Sequence, residues 1–107
     1  MSKKLTGKVA LVTGGSRGIG AAIAQALADD GADVAISYAA SAAKADEVVA
    51  ALKKKGVRAG AFKADQGKTD EVRDLVARVN KDFGRLDILV NNAGVFVMGQ
   101  VLSLIHI

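Results

Sequence analysis

Apolar and polar positions follow one another along the chain in blocks that predict strands and helices in turn. The apolar run from Lys8 to Val12 is typical of a buried strand. The Ala-rich stretch 21–28 predicts a helix, because alanine is the best helix former. Further strands are predicted over 32–37, 57–64 and 86–90, with helical patterns between them. The chain is therefore expected to alternate strand and helix from beginning to end.

The predicted helices carry recognisable end signals. Gly31 is expected to end the first helix, and Ser41 to cap a second one that stops at Gly56 and has apolar residues at 45, 48, 49 and 52 on one face. Thr69 is expected to cap the third helix, where apolar residues at 72, 75, 76, 79 and 83 fall at helical spacing. Gly84 then closes it as the residue best able to take the left-handed conformation.

Strands that alternate with helices of this length pair in parallel through right-handed crossovers. We therefore predict an α/β fold, the N-terminal part of a doubly wound parallel sheet with strand order 3-2-1-4, incomplete as it stands. In such a sheet the chain reverses between strands 1 and 4, and ligands bind at that switch point.

A glycine-rich turn, Thr13 to Gly20, joins the first strand to the first helix. Gly14 can take backbone angles closed to other residues. Gly18 leaves no side chain between the backbone and an approaching pyrophosphate, and Gly20 lets the helix lie close to the sheet. The free N–H groups and positive dipole end of the helix favour an anion. The alternative is that the turn is only a tight connection.

Composition narrows the function classes. The 107 residues fit one small domain, with 50% apolar and 24% charged residues. No apolar run approaches the roughly 20 residues that span a bilayer, and no signal peptide is apparent, so we expect a cytoplasmic protein without a membrane partner. With no cysteine and a single histidine, His106, the sequence predicts no metal site and no thiol nucleophile.

The net charge of +4 comes from scattered residues, and the basic run is Lys53 to Lys55. It falls at the predicted end of the second helix, where cations satisfy the negative end of the helix dipole. No aromatic residues are interleaved with it, so we expect no nucleic-acid partner.

Asn91-Asn92-Ala93-Gly94 follows the fourth predicted strand. Together with Thr-Gly-x-x-x-Gly-x-Gly at Thr13 to Gly20, it resembles the short-chain dehydrogenase/reductase family, nearest to its 3-oxoacyl-carrier-protein reductase-like members. The likeness covers about Leu5 to Gly99. It implies that 1–99 is the N-terminal part of a dinucleotide-binding Rossmann domain. The full-length protein would reduce ketones or oxidise secondary alcohols of small molecules, as a homo-oligomer.

The resemblance also implies a set of cofactor-binding positions. These are Gly14, Gly15, Ser16, Arg17, Gly18, Ile19, Gly20, Tyr38, Ser41, Asp65, Gln66, Asn91, Asn92, Ala93 and Gly94. Tyr38 stands where an acidic residue would hold the adenosine ribose of NAD, so NADP(H) is favoured over NAD(H). Arg17 could supply the positive charge for a 2′-phosphate, with Ser16 and Ser41 as hydroxyl donors. Alternatively, Arg17 is a solvated loop charge and Ser41 only a helix cap.

Two further segments are assigned through the same resemblance. Asp65 matches the family aspartate beside the adenine ring, although Asp65-Gln66-Gly67 is also good turn chemistry. Residues 91–94 would line the ribose and nicotinamide side of the cofactor, with the asparagines also joining strands through side-chain hydrogen bonds.

The family's catalytic tyrosine, its lysine four residues on, a serine and an asparagine all lie beyond the fourth strand. Tyr38 is the only tyrosine of this chain and is followed four residues later by Ala42, so no residue is predicted to be catalytic. The apolar tail 100–107 is predicted not to be native family sequence, and His106 receives no role. The alternatives are a non-catalytic dinucleotide-sensing module and a methyltransferase-type glycine loop, which would leave residues 91–94 unexplained.

Overall fold

The computed structural model describes residues 4–14, 18–39, 41–64 and 69–91 of the chain. Strands and helices alternate along it: β1 Val9–Thr13, α1 Gly18–Asp29, β2 Asp33–Tyr38, α2 Ala42–Lys54, β3 Ala59–Lys63, α3 Thr69–Phe83 and β4 Ile88–Asn91. The described strands form one sheet in the order β3-β2-β1-β4. Every pairing in it is parallel. The predicted fold class and strand order are confirmed.

Strand β1 is buried along its whole length, because helices cover both faces of the sheet there. Alternation sends Val9 and Leu11 to one face, where they share a core with Leu75, Val76 and Val79 of α3. The opposite face packs against α1 and α2, and its core contains Val12, Ala24, Ala28, Ala32, Val34, Ile36, Ala45, Val48 and Leu52. The small side chains of α1 allow that helix to approach the sheet closely.

The predicted helix ends are found where glycine or a cap was expected. Ser41 is the N-cap of α2, and its hydroxyl accepts the Lys44 N–H at 3.3 Å. Gly31, Gly56 and Gly84 have φ angles of +98°, +90° and +84°, in the left-handed region that favours glycine.

Several element boundaries differ from the prediction by one to three residues. α1 begins at Gly18, and Thr69 is the first residue of α3 rather than a residue preceding it. β3 and β4 begin two residues later than expected. Val57 and Leu86, which were predicted to open these strands, do pack into the two cores. Their apolar character therefore predicted burial correctly, but burial does not require a place in the hydrogen-bonded ladder.

Two carboxylates join neighbouring strands at the amino-terminal edge of the sheet. Asp33 of β2 accepts the Arg58 backbone N–H at 2.8 Å and its Nε at 2.9 Å. Asp87 accepts the Val9 N–H at 2.9 Å and the Arg85 Nη2 at 2.7 Å. Arg58 also donates to the carbonyl of Phe83, the last residue of α3. These contacts fix β2 to β3 and β1 to β4 at the edge remote from the glycine turn.

The basic run predicted to end α2 lies at that helix end. Lys53 and Lys54 are in its last turn, and Lys55 follows as the C-cap. The Lys55 ammonium lies 2.6 Å from the carboxylate of Asp29, the last residue of α1. The run thus lies at the helix end where it was predicted, and Lys55 in addition connects α2 to α1.

Candidate functional site

The carboxyl ends of β1 and β4 lie side by side, with Thr13 opposite Asn91 at the last position of their register. The helix that leaves β1, α1, packs on one face of the sheet, and the helix that precedes β4, α3, packs on the other. Because the two crossovers pack on opposite faces, the ends of β1 and β4 form the switch point of the sheet, where open α/β sheets bind ligands. The glycine turn starts at this point, since Gly14 directly follows β1.

Two glycines of the turn have backbone conformations that other residues rarely adopt. Gly14 follows β1 with φ of +66°, and Gly18 opens α1 with φ of +63°. A Cβ atom at Gly18 would meet no described atom within 4 Å, so this side of the backbone faces open space. Gly20 is buried in the first turn of α1. The left-handed backbone angle explains why Gly14 and Gly18 are glycines. Burial within the helix explains Gly20.

The amino-terminal end of α1 presents both a positive dipole end and an apolar side chain. Its first turn contains no acidic residue that would offset the dipole. Ile19 is 74% exposed, the one large hydrophobic residue that is exposed where burial is described. This end can therefore receive an anion beside an apolar surface, which suits the pyrophosphate and ring groups of a dinucleotide.

Two hydroxyl side chains connect the strand ends around the turn. The Thr13 hydroxyl donates to the Val90 carbonyl at 3.3 Å, and the Ser37 Oγ accepts the Gly14 N–H at 3.1 Å. They are the two fully buried polar side chains in the part of the chain whose burial is described. Neither residue is in the cofactor-binding set predicted from the sequence, although Thr13 is the first residue of the glycine motif. A hydroxyl residue at the carboxyl end of an otherwise apolar strand is the sequence signal that would have identified Ser37.

Comparison with known proteins places this arrangement in a family. A family model described as short chain dehydrogenase matches residues 8–105. The chain belongs to the short-chain dehydrogenase family. The predicted family membership is thereby confirmed, and with it an oxidoreductase relationship.

Individual relatives of this short-chain dehydrogenase chain are much longer than it is. An oxidoreductase from Methylorubrum extorquens is 56% identical over 98 residues, which are 92% of this chain and 40% of the relative. A 3-oxoacyl-[acyl-carrier-protein] reductase from Staphylococcus epidermidis is 51% identical over 88 residues, 82% of this chain and 36% of the relative. The chain therefore spans about two fifths of the length of these curated relatives.

A solved structure shares the fold at high identity. It is a short-chain dehydrogenase from Burkholderia cenocepacia in complex with NADP, 61% identical, with a TM-score of 0.83. The match covers 88% of this chain and 38% of that protein.

The structure brings part of the predicted cofactor set together. Gly14, Gly18, Ile19 and Gly20 surround the start of α1, and Asn91 ends the neighbouring strand β4. Eight of the predicted positions lie outside the described residues: Gly15, Ser16, Arg17, Asp65, Gln66, Asn92, Ala93 and Gly94. The tail 100–107 lies outside them as well.

Tyr38 and Ser41 lie at and just after the end of the second strand. Tyr38 is the last residue of β2, half-buried, with its side chain against the α1–α2 core. Its carbonyl accepts the Ala64 N–H at 3.0 Å, so the ends of β2 and β3 are held together there. Ser41 uses its hydroxyl in the cap of α2. Both residues thus lie at the carboxyl-terminal edge of the sheet, the edge at which Gly14 follows β1.

Two other kinds of site are absent from the described ranges. No helix there is long and apolar enough to cross a membrane. No group of three or more histidine, cysteine, aspartate or glutamate side chains in those ranges is arranged to hold a metal ion.

Proposed function

We propose that the chain is the cofactor-binding portion of an NADP(H)-dependent oxidoreductase that reduces ketones or oxidises secondary alcohols. The observation that carries this proposal is the glycine turn at the β1–β4 switch point, with left-handed Gly14 and Gly18 and an unopposed helix dipole. Family membership supplies the oxidoreductase class. The longer protein would act on a small-molecule carbonyl or alcohol as a homo-oligomer in the cytoplasm, without nucleic-acid or membrane partners.

The preference for NADP(H) over NAD(H) rests on the end of β2. Tyr38 occupies its last position, and no carboxylate stands there to repel a 2′-phosphate. Arg17 is the residue proposed to pair with that phosphate. The related structure from Burkholderia cenocepacia is a complex with NADP, which supports the same choice.

When bound, the nicotinamide supplies or accepts the hydride at the substrate carbon. The residues of this chain would hold the cofactor: the glycine turn its pyrophosphate, Tyr38, Ser41 and Arg17 its adenosine end, and residues 91–94 its nicotinamide side. Asp65 and Gln66 would border the adenine ring. None of the 107 residues is proposed as the proton donor, because Tyr38 belongs to the adenosine end and Ala42 is four residues away. We expect the chain by itself to bind cofactor without turnover.

A second candidate is a non-catalytic dinucleotide-sensing module. It would share the glycine turn and the cofactor positions with the reductase but lack the family's Tyr-x-x-x-Lys pair, whose place is beyond the fourth strand. Reading the source gene beyond the codon for Gly99 separates the two proposals. A downstream Tyr-x-x-x-Lys pair supports the reductase, and a longer frame without one supports the sensor.

The direct test is titration of the purified chain with NADPH and with NADH by isothermal calorimetry. We expect tighter binding of NADPH, and Arg17→Ala should weaken it by about 1–3 kcal/mol, as loss of a charged hydrogen bond does. NADH binding should change little. Arg73→Ala is the matched control, since Arg73 is an exposed residue of α3. If the chain binds neither dinucleotide, the proposed function is wrong; if Arg17→Ala binds NADPH unchanged, only the phosphate contact is wrong.

A further inference from the structure

Ser37 is a buried hydroxyl in apolar surroundings. It lies one residue before the end of β2, and alternation places it on the same face as Ala35, which packs in the α3 core. Its side chain is fully buried. A hydroxyl in such a place costs free energy unless it is hydrogen-bonded. It has a partner, because its Oγ accepts the Gly14 N–H at 3.1 Å.

That hydrogen bond continues the β1–β2 ladder where the two backbones separate. The last register pair between these strands is Val12 with Ile36. Beyond it, Gly14 turns away with φ of +66°, and its N–H donates to the Ser37 side chain. The serine thereby fixes the first residue of the turn relative to the sheet.

The opposite side of β1 is held in the same way. The Thr13 hydroxyl donates to the Val90 carbonyl of β4 at 3.3 Å. The residue before the turn and the first residue of the turn are thus joined to β4 and β2 respectively. Backbone N–H groups bind an anion well only if they already point at it, because a site that must first become ordered loses affinity.

We infer that Ser37 is a positioning residue for the phosphate-binding turn. It would act through the Gly14 N–H and not by touching the cofactor. The inference rests on the proposed function, since it concerns the turn that would hold the pyrophosphate. Because NADPH and NADH have the same pyrophosphate, loss of the Ser37 hydroxyl should weaken both by the same factor.

The test compares Ser37→Ala with the original chain by calorimetric titration of NADPH and NADH. Loss of the Ser37–Gly14 hydrogen bond should raise both dissociation constants by roughly tenfold and leave their ratio unchanged. Arg17→Ala should instead change that ratio. Val79→Ala is the stability control: it removes buried methyl groups from α3, so it should lower the melting temperature without changing either dissociation constant at a temperature where the chain is folded.

A second readout does not depend on the cofactor. In ¹⁵N-labelled chain, amide hydrogen exchange of Gly14 should accelerate in Ser37→Ala, while the Lys44 amide, which is bonded to Ser41, keeps its rate. If the original chain binds dinucleotide and Ser37→Ala binds it as tightly, the inference is overturned and the proposed function stands. If the original chain binds neither dinucleotide, both the inference on Ser37 and the proposed function are wrong. Unchanged exchange at Gly14 would also overturn the inference, because the hydrogen bond would not be holding the turn.

Discussion

Asp87 and Val9 hold each other through two hydrogen bonds of the same length. The Asp87 carboxylate accepts the Val9 N–H at 2.9 Å, and the Val9 carbonyl accepts the Asp87 N–H at 2.9 Å. The second carboxylate oxygen accepts Arg85 Nη2 at 2.7 Å. This pair joins β4 to β1 one residue before their register begins at Ala10 and Ile88. The start of the β1–β4 pairing therefore depends in part on the Asp87 carboxylate, while the ladder from Ala10 and Ile88 to Thr13 and Asn91 continues it.

Asp87→Asn tests that dependence through pH. The pKa of Asp87 lies below its usual value, chiefly because the Arg85 side chain hydrogen-bonds to the carboxylate, with the Val9 N–H also contributing. Since the folded pKa is the lower one, the stabilisation is present above the ordinary pKa of 3.8 and is lost as pH falls through the folded value. The variant should lower the free energy of unfolding by about 1–3 kcal/mol at pH 7.

Urea denaturation between pH 7 and pH 3 measures this effect. The difference between Asp87→Asn and the original chain should narrow as the pH falls below about 4. Asp46→Asn is the control, because Asp46 is an exposed acid on α2. A difference that is the same at every pH would mean that the charge of Asp87 is not what holds the strands.

Much of the fold could be predicted because its signals are local. Gly31, Gly56 and Gly84 were expected to end helices, and each has a left-handed backbone conformation. Apolar runs, the alanine-rich stretch 21–28 and helical spacing predicted every described strand and helix, since these are properties of neighbouring residues.

The contacts that complete the fold and the site are not local. Ser37 and Gly14 are 23 residues apart, and Val9 and Asp87 are 78 apart. Such pairs depend on strand register, which no short stretch of sequence specifies. The same limit explains the error at β3, where Val57 is packed but not paired with β2. Arg17, Asp65 and Asn92 stay predictions, since they lie outside the described residues.

Gly60→Ala should stabilise the protein. Gly60 lies in β3 without a left-handed φ, and an added Cβ would lie 3.5 Å from the Phe62 ring and 3.6 Å from the Phe83 ring, which is ordinary contact. Removing the extra freedom of glycine in a strand should raise the free energy of unfolding by about 0.5–1 kcal/mol.

Gly56→Ala is its matched control. A Cβ at Gly56 also has space, with no described atom within 4 Å, but φ there is +90°. This variant should therefore destabilise by about 1 kcal/mol or more. Chemical denaturation of both variants separates the effect of backbone angle from that of packing. If both substitutions changed the free energy of unfolding in the same direction, the backbone angle would not be what distinguishes Gly56 from Gly60.

Arg78 of α3 makes two contacts with the outer strand of the described sheet and one within its own helix. Its Nη2 donates to the Lys63 carbonyl at 3.2 Å, its guanidinium lies 5.6 Å from the centre of the Phe62 ring, and its Nε lies 3.0 Å from Asp74. Arg78→Ala should lower the free energy of unfolding by about 1 kcal/mol.

Arg78→Lys should recover only part of this loss, because an ammonium group lacks the planar fork that reaches ring and carbonyl together. Urea denaturation measures the free energy of unfolding of the original chain, Arg78→Ala and Arg78→Lys. Arg73→Ala, elsewhere on α3, should stay within about 0.5 kcal/mol of the original. Full recovery by lysine would show that charge alone matters at this position.

Tyr38→Asp should reverse the proposed cofactor preference. Tyr38 ends β2, where a carboxylate would accept hydrogen bonds from the ribose hydroxyls of NADH and repel the 2′-phosphate of NADPH. The ratio of NADPH to NADH affinity should fall by at least about tenfold, or ~1.4 kcal/mol. The tyrosine ring packs partly against the α1–α2 core, so its loss should also lower the stability of the fold. The melting temperature of the variant is therefore measured as well.

Tyr38→Asn separates charge from size in that experiment. It has nearly the same volume as the aspartate variant and loses the same ring, so both should destabilise the fold to a similar extent. The asparagine variant should keep the preference for NADPH, since it brings no negative charge near the phosphate. If both variants lower the two affinities equally, the end of β2 does not select the dinucleotide, and the preference must come from the glycine turn and Arg17.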